Sequence, residues 1–175
     1  MRKVFSLLMV TAVLLALLSG CGRFASSANS ENLVYTGQDT NTSQENTGPV
    51  DVEIYYGNQA GDGFKTDTVT IDKLDPGLIG DQLVAHGVMP DTCYLDSCSL
   101  LHLDNGEVAI VLNFCNDFKL YLRNLDAQRE HIVIGSVVNT FVKAYGVNKA
   151  FVLAKKDVIK TDHATYDDYL YPFSS

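Results

Sequence analysis

Apolar residues Ile134, Val137, Val138, Phe141 and Tyr145 fall at i, i+3, i+4, i+7 and i+11, one side of a 3.6-residue helix. Gln128, Arg129, Ser136, Asn139 and Lys143 occupy the other side, so the pattern predicts one polar and one buried face. Asp126 stands where an N-cap carboxylate accepts from unpartnered backbone N–H groups, and Gly146 where a left-handed residue stops the helix and lets Val147 fold back. Ala150 to Leu153 is apolar on both faces and reads as an inner strand of a covered sheet.

The chain before this helix alternates in the period of strands. Val50, Val52, Ile54 and Tyr56 interleave with Asp51, Glu53 and Tyr55, and after the loop Gly57 to Gly63 a second strand runs from Phe64 to Ile71. Asp75-Pro76 predicts the start of a short helix carrying Leu78, Ile79 and Leu83, weakened by Gly77 and Gly80 at roughly 1 kcal/mol each and ended by Gly87 and Pro90. Asn105-Gly106 predicts a two-residue type I′ hairpin. Its register would set Leu103 against Val108, Leu101 against Ile110 and Ser99 against Leu112 on the core face, continued by Phe114, with His102, Ala109, Leu100 and Val111 on the other. Asp117 to Leu125 reads as a connection that packs in part through Leu120, Tyr121 and Leu122, and residues 161–175 as a docked segment or a loose end. The expected fold is α/β of the α+β kind, a small mixed sheet of about five strands packed by two helices.

At the amino end, Arg2 and Lys3 precede an apolar run, Val4 to Leu18, shorter than the roughly 20 residues of a spanning helix, so residues 1–20 read as a signal peptide. Leu18, Ser19, Gly20 and Cys21 resemble the lipobox of bacterial lipoproteins, which implies a diacylglycerol thioether at Cys21. An uncleaved anchor helix and an ordinary signal peptide are the alternatives, and both also keep the domain outside the cytoplasm. Each buried lipid methylene contributes about 0.8 kcal/mol, and two acyl chains suffice for stable anchoring at the extracytoplasmic face of the cell membrane. The full chain carries a net charge of −8; without Arg2 and Lys3, 11 basic and 21 acidic residues remain, net −10. That balance argues against nucleic acid and anionic lipid as partners. Residues 21–49, the lipidated cysteine and a polar stretch rich in Ser, Asn, Thr and Gln, read as a tether of roughly 30 Å span, with a strand around Leu33 to Tyr35 as the alternative. Residues 50–160 have the length of a single domain, and no internal repeat is present.

The order strand, strand, helix, hairpin, long helix, strand resembles the GerMN domain of sporulation and germination lipoproteins. The resemblance is carried by Asn105-Gly106 with Val108 to Phe114, then Val137-Val138-Asn139-Thr140-Phe141 through Tyr145-Gly146-Val147 into Lys149 to Leu153. It covers about residues 50 to 156 and implies a fold similar to the ring-building modules of envelope secretion complexes. The chain departs from the pattern at Gly80, in the cysteine-bearing stretch that follows, and at Lys155-Lys156-Asp157, where the family often turns through Asp-Gly. The resemblance implies a non-catalytic role in sporulation or germination, with an envelope or spore-layer protein as partner, or self-association.

Cys93, Cys98 and Cys115 are an odd set in an exported chain. In the expected register Asp96 faces Cys115, leaving Cys98 diagonal to it at about 7–8 Å, at or beyond the usual disulfide limit. A Cys93–Cys98 bridge is therefore the expected pairing, against three reduced thiols. Cys93, Cys98, His102 and Cys115 could also be written as a zinc set, and Cys115 with His131 as the pair of an exported cell-wall thiol hydrolase. The first lacks the close pairs of a structural zinc knuckle, and in the second Cys115 ends a strand while His131 has no orienting partner, so the alternative reading, an exported thiol or zinc enzyme, ranks second. Asp157, Asp162, Asp167 and Asp168 read as a solvated acidic end rather than a calcium loop, and His86 and His163 as surface residues. No glycine-rich phosphate loop or serine elbow is present, and the only cofactor expected is the covalent lipid. Candidate interface residues are Arg129, Ser136, Asn139 and Lys143 on the polar helix face, and Tyr166, Tyr169 and Tyr171, which with Phe173 form a contact segment or pack on their own sheet.

Overall fold

A computed structural model describes residues 48–174; the expected signal peptide, Cys21, most of the tether and the alternative strand near Leu33 lie outside the described residues. The elements are β1 (Val50–Gly57), β2 (Phe64–Ile71), α1 (Pro76–Ala85), β3 (Leu95–His102), β4 (Val108–Phe114), α2 (Asn116–Arg123), α3 (Ala127–Tyr145), β5 (Lys149–Ala154), β6 (Asp157–Lys160) and β7 (Thr165–Tyr166). This is a mixed α+β fold. Among the described residues no helix is long and apolar enough to cross a membrane.

The two helix boundaries that the sequence signals are built as expected. The Asp126 carboxylate accepts from the Arg129 N–H at 2.9 Å, and Gly146 takes φ 61°. The Val147 N–H then reaches the Val142 carbonyl at 3.1 Å, which closes the last turn. In α1 the Asp75 carboxylate accepts from the Gly77 and Leu78 amides at 2.9 and 3.2 Å, with Pro76 at the first position. Gly87, at φ 71°, again lets the next residue fold back, with the Val88 N–H on the Leu83 carbonyl at 2.9 Å.

The main sheet has the order β3-β4-β5-β6-β7. β4 and β5 are parallel, joined by a crossover through α2 and α3, and the other pairs are antiparallel. The inner face of β4 and β5, with Ile110, Leu112, Phe114, Ala150 and Val152, packs into the core, which makes β5 the inner strand its sequence predicts. β1 and β2 do not join this sheet. They pair with each other as a separate two-stranded sheet.

That separation changes the environment of α3. The helix packs against β1 as well as β4 and β5, and from Val133 to Val142 every residue is buried. Its polar side is used in these contacts: the Thr140 hydroxyl accepts from the Tyr55 N–H at 2.9 Å, filling a place on the edge of β1. The approach is close because two residues lack a Cβ. A Cβ on Gly57 would lie 2.8 Å from Ile132 Cγ2, and one on Gly135 would lie 2.4 Å from Phe64 Cζ.

The hairpin register differs from the expectation by one residue. Leu100 faces Ile110, Leu101 faces Ala109 and Cys98 faces Leu112. The Gly106 N–H bonds the Leu103 carbonyl and the Leu103 N–H the Glu107 carbonyl, both at 2.9 Å, so the loop holds Asp104, Asn105 and Gly106. Only Gly106 has positive φ, at 84°; Asn105 uses its side chain instead, accepting from the Glu107 N–H at 3.0 Å. A one-residue slip exchanges the faces. Cys98 and Leu100 therefore pack on the core, in place of Ser99 and Leu101. The two-residue turn is at Lys155-Lys156, between Ala154 and its partner Asp157, with φ 53° and 67°. It is held by the Lys156 N–H on Asn113 Oδ1 at 2.6 Å.

The stretch expected to be a partly packed connection is the helix α2, so three helices pack the fold where two were expected. Phe118 stacks on Phe114 with ring centroids 4.1 Å apart, and Leu122 is fully buried. Cys115 at its N-cap makes no side-chain cap, which is why the sequence shows no start signal. The carboxyl-terminal residues are docked. β7 pairs with β6, Leu170 exchanges both backbone hydrogen bonds with Ala150 at 2.7 and 2.8 Å, and the Asn139 side chain pairs with the Phe173 backbone at 2.7 and 3.0 Å. Residue 160 is therefore not an outer limit of the folded part.

Candidate functional site

The expected interface residues separate into two groups. Arg129 and Lys143 are exposed, whereas Ser136 (0% exposed) and Asn139 (5%) are buried by the β1–β2 sheet and the terminal segment. They are removed from the outer surface on which the polar helix face was expected. The tyrosines serve mainly to dock their own segment. The Tyr166 hydroxyl donates to Glu130 Oε1 at 2.6 Å, and burial followed by that carboxylate pushes its pKa up. Tyr169 and Tyr171 stand under the Lys149 ammonium, 4.8 and 5.2 Å from their ring centroids, while Lys149 reaches Glu107 Oε2 at 2.7 Å. Tyr171 keeps more than half its surface exposed. Glu130, in the first turn of α3, is 1% exposed; Thr161 Oγ1 joins Tyr166 on its Oε1, and its Oε2 has no partner among the described residues.

The thiols do not make the expected bridge, and all three are free. The reason is the extended path of β3: from Leu95 to Cys98 the chain advances about 10 Å, carrying Cys98 away from Cys93. Burial pushes Cys93 up to about 11 and Cys98 up to about 12, opposite to the lowered pKa of a nucleophilic thiol. Cys115 donates to the Thr92 carbonyl at 3.3 Å and accepts from the Tyr94 N–H at 3.4 Å. His131 lies elsewhere, its ring 4.9 Å from that of Phe173 and 6.4 Å from that of Phe64, so Cys115 and His131 are not paired. Among the described residues no three His, Cys, Asp or Glu side chains are placed to hold a metal ion; this includes the four residues of the zinc set and the four late aspartates.

What the fold does assemble is a cleft of about 410 Å³ at the foot of α3, between the β1–β2 loop, the end of α1 and Tyr121 of α2. Val88, Ile132 and Val133 contribute apolar surface to its lining, and Ser136 lines it too, with a buried hydroxyl that has no hydrogen-bond partner among the described residues. Gln128 closes one end by donating from Nε2 to the Gly61 carbonyl at 2.8 Å. Arg129 stands on the rim, and its guanidinium has no ion pair among the described residues. The Tyr121 hydroxyl donates to the Val88 carbonyl at 3.3 Å; burial raises its pKa and the positive charge of Arg129 opposes that. His86 is committed, with Nδ1 at 2.7 Å from the Gln82 carbonyl and Nε2 at 3.3 Å from Asp67. The cleft thus brings a cation without an ion pair and a buried hydroxyl to the same lining, both groups that can donate hydrogen bonds. Arg129 and Ser136 were both legible as interface candidates. The loop and the end of α1 that complete the cleft were not, because only the tertiary fold brings them to α3.

The fold is that of a small α+β domain with one face of α3 opening on this cleft. No protein-family model and no curated protein matches the sequence. Among solved structures, the chain is similar to a protein from Clostridium perfringens provisionally described as a lipoprotein, at 15% identity over 74% of this chain and 91% of that one, with a TM-score of 0.40. It is also similar to the tandem GerMN domains of the sporulation protein GerM from Bacillus subtilis, at 14% identity over 86% of this chain and 50% of that one, with a TM-score of 0.44. The chain thus spans half the length of the tandem structure.

Proposed function

We propose that this protein is anchored by lipid to the extracytoplasmic face of the cell membrane and works by binding rather than catalysis, as a protein-binding or assembly module in sporulation or spore germination. The lipobox ending at Cys21 supports the anchor, and the sequence pattern from Asn105 to Leu153 supports the process. The observation that carries binding is the cleft at the foot of α3, whose lining includes the guanidinium of Arg129, without an ion pair among the described residues, and the buried hydroxyl of Ser136. A carboxylate from an envelope or spore-layer protein would satisfy Arg129, and hydrogen bonds to charged groups contribute about 1.5–3 kcal/mol each.

The test is co-purification of the lipidated protein with its partners from producing cells, during growth and during sporulation, beside an Arg129→Glu variant. Capture of an envelope protein should fall by roughly tenfold or more, because attraction becomes repulsion, while the melting temperature stays unchanged since Arg129 is exposed. Undiminished capture removes the cleft from the reading. A cell-wall-cleaving activity abolished by Cys115→Ala or His131→Ala would instead favour the exported thiol enzyme.

A further inference from the structure

The odd cysteine count acquires a pairing from the fold. Cys93 is 2% and Cys115 3% exposed, on the loop that enters β3 and at the junction of β4 with α2. The Cys115 N–H donates to the Tyr94 carbonyl at 2.9 Å, which places the two segments side by side just beyond the ladder that ends at Leu95 and Phe114. The Cys115 sulfur rests between two backbone groups, 3.3 Å from the Thr92 carbonyl oxygen and 3.4 Å from the Tyr94 nitrogen. Those groups flank Cys93 on either side. Since the Tyr94 nitrogen is only two bonds from the Cys93 Cα, the Cys115 sulfur lies no more than about 6 Å from that Cα, so the two side chains are neighbours and a small local shift brings the sulfurs to bonding distance.

Cys98 is excluded by the same register. Its cross-strand partner is Leu112, three residues from Cys115, an offset of about 10 Å along the strand. It packs on the core near Tyr145, whose phenol is pushed up by burial first and by Cys98 after it.

We infer that Cys93 and Cys115 are a disulfide pair in the exported protein, and that Cys98 is the thiol left over. Two S–H bonds break and one S–S bond forms, with two protons and two electrons passing to an oxidising disulfide, that of a thiol–disulfide oxidoreductase outside the cytoplasm, which leaves as a dithiol. Because both sulfurs are buried in the folded domain, the exchange takes place before packing closes over them. The bond would tie the Pro90 to Tyr94 turn to the start of α2, an end where Cys115 caps the helix with no side-chain hydrogen bond. It would also fix Tyr94, 56% exposed, in one place on the surface.

The experiment uses the full lipidated chain from exporting cells, denatured in an alkylating reagent, digested and mapped by mass with and without prior reduction. The expected result is a linked peptide pair containing Cys93 and Cys115, with Cys98 alkylated in both samples. The melting temperature of the unreduced protein should exceed that of the reduced one by roughly 10 °C, the effect of closing a loop of this length. Cys98→Ser should leave the linked pair intact, whereas Cys93→Ser should make Cys115 alkylatable in denaturant without reduction. A Cys93–Cys98 or Cys98–Cys115 linkage, or all three thiols alkylated without reduction, would overturn the pairing.

Discussion

Gly135→Ala is an unusually sharp test of how the β1–β2 sheet sits on α3. Within a helix, glycine to alanine ordinarily stabilises by about 1 kcal/mol, because alanine has less backbone freedom to lose. Here the new methyl would lie 2.4 Å from Phe64 Cζ, 2.8 Å from Phe64 Cε1 and 3.1 Å from Phe173 Cγ. Carbon atoms settle at about 3.5–4.0 Å, so the Phe64 ring must retreat by about 1 Å. That retreat disturbs the contacts both phenylalanines make with the His131 ring. Overpacking of this kind costs about 1–3 kcal/mol, and subtracting the propensity gain leaves a net loss near 1–2 kcal/mol at the upper end of that range. For a domain of this size each kcal/mol moves the midpoint by roughly 4 °C, so thermal unfolding followed by circular dichroism should show a fall of roughly 4–8 °C. A Phe64→Leu background makes space for the methyl, and there Gly135→Ala should be neutral or stabilising. If Gly135→Ala raises the melting temperature in the native background, the sheet does not press on this turn and the account of α3 as a helix buried on both sides fails.

Four further outcomes follow from the same physical reasoning. Lys156→Gly should raise the melting temperature by several degrees, because a non-glycine residue at φ 67° carries about 1–2 kcal/mol of strain and glycine does not. The Lys149 hydrogen bond, with that of Asn105, holds the Glu107 carboxyl below its usual value of 4.5, so its stabilisation is complete above that pH and is lost as pH falls below it. Melting temperature against pH should therefore decline on the acid side of 4.5, and Glu107→Gln should flatten part of that decline. Lys143→Glu, on an exposed position of α3, should weaken any self-association in analytical ultracentrifugation while shifting the melting temperature little; loss of both together would misplace that face. Phe173→Ala should lower stability by about 2 kcal/mol in denaturant titration, since it uncovers the Gly135 notch; no change would mean that the terminal segment is not docked.

What the sequence made legible was local. The caps of α1 and α3 depend on Asp75, Asp126, Gly87 and Gly146, each acting within a few residues of itself, and both helices stand where those signals put them. The hairpin shows the limit: Asn-Gly suits a two-residue loop, but the same glycine also closes a three-residue one, and the difference of one residue exchanges Leu100 with Leu101 at the core. α2 was hidden because cysteine at an N-cap announces nothing. The polar side of α3 was read as facing water because Asn139 and Thr140 find their partners in Phe173 and Tyr55, residues that no helical period can bring into view. The cleft was half visible for the same reason, with Arg129 and Ser136 on one helix and the rest supplied by distant loops.

The docking of the terminal segment also sets an order of events. Asn139, Lys149 and Ala150 all find partners in residues 169 to 173. In a polypeptide that emerges amino end first, α3 and β5 are therefore delivered before the residues that cover them and wait with one flank open. The segment acts as a latch that closes on them last. A variant lacking it would leave that flank to quality-control proteases, so the latch guards the domain against degradation.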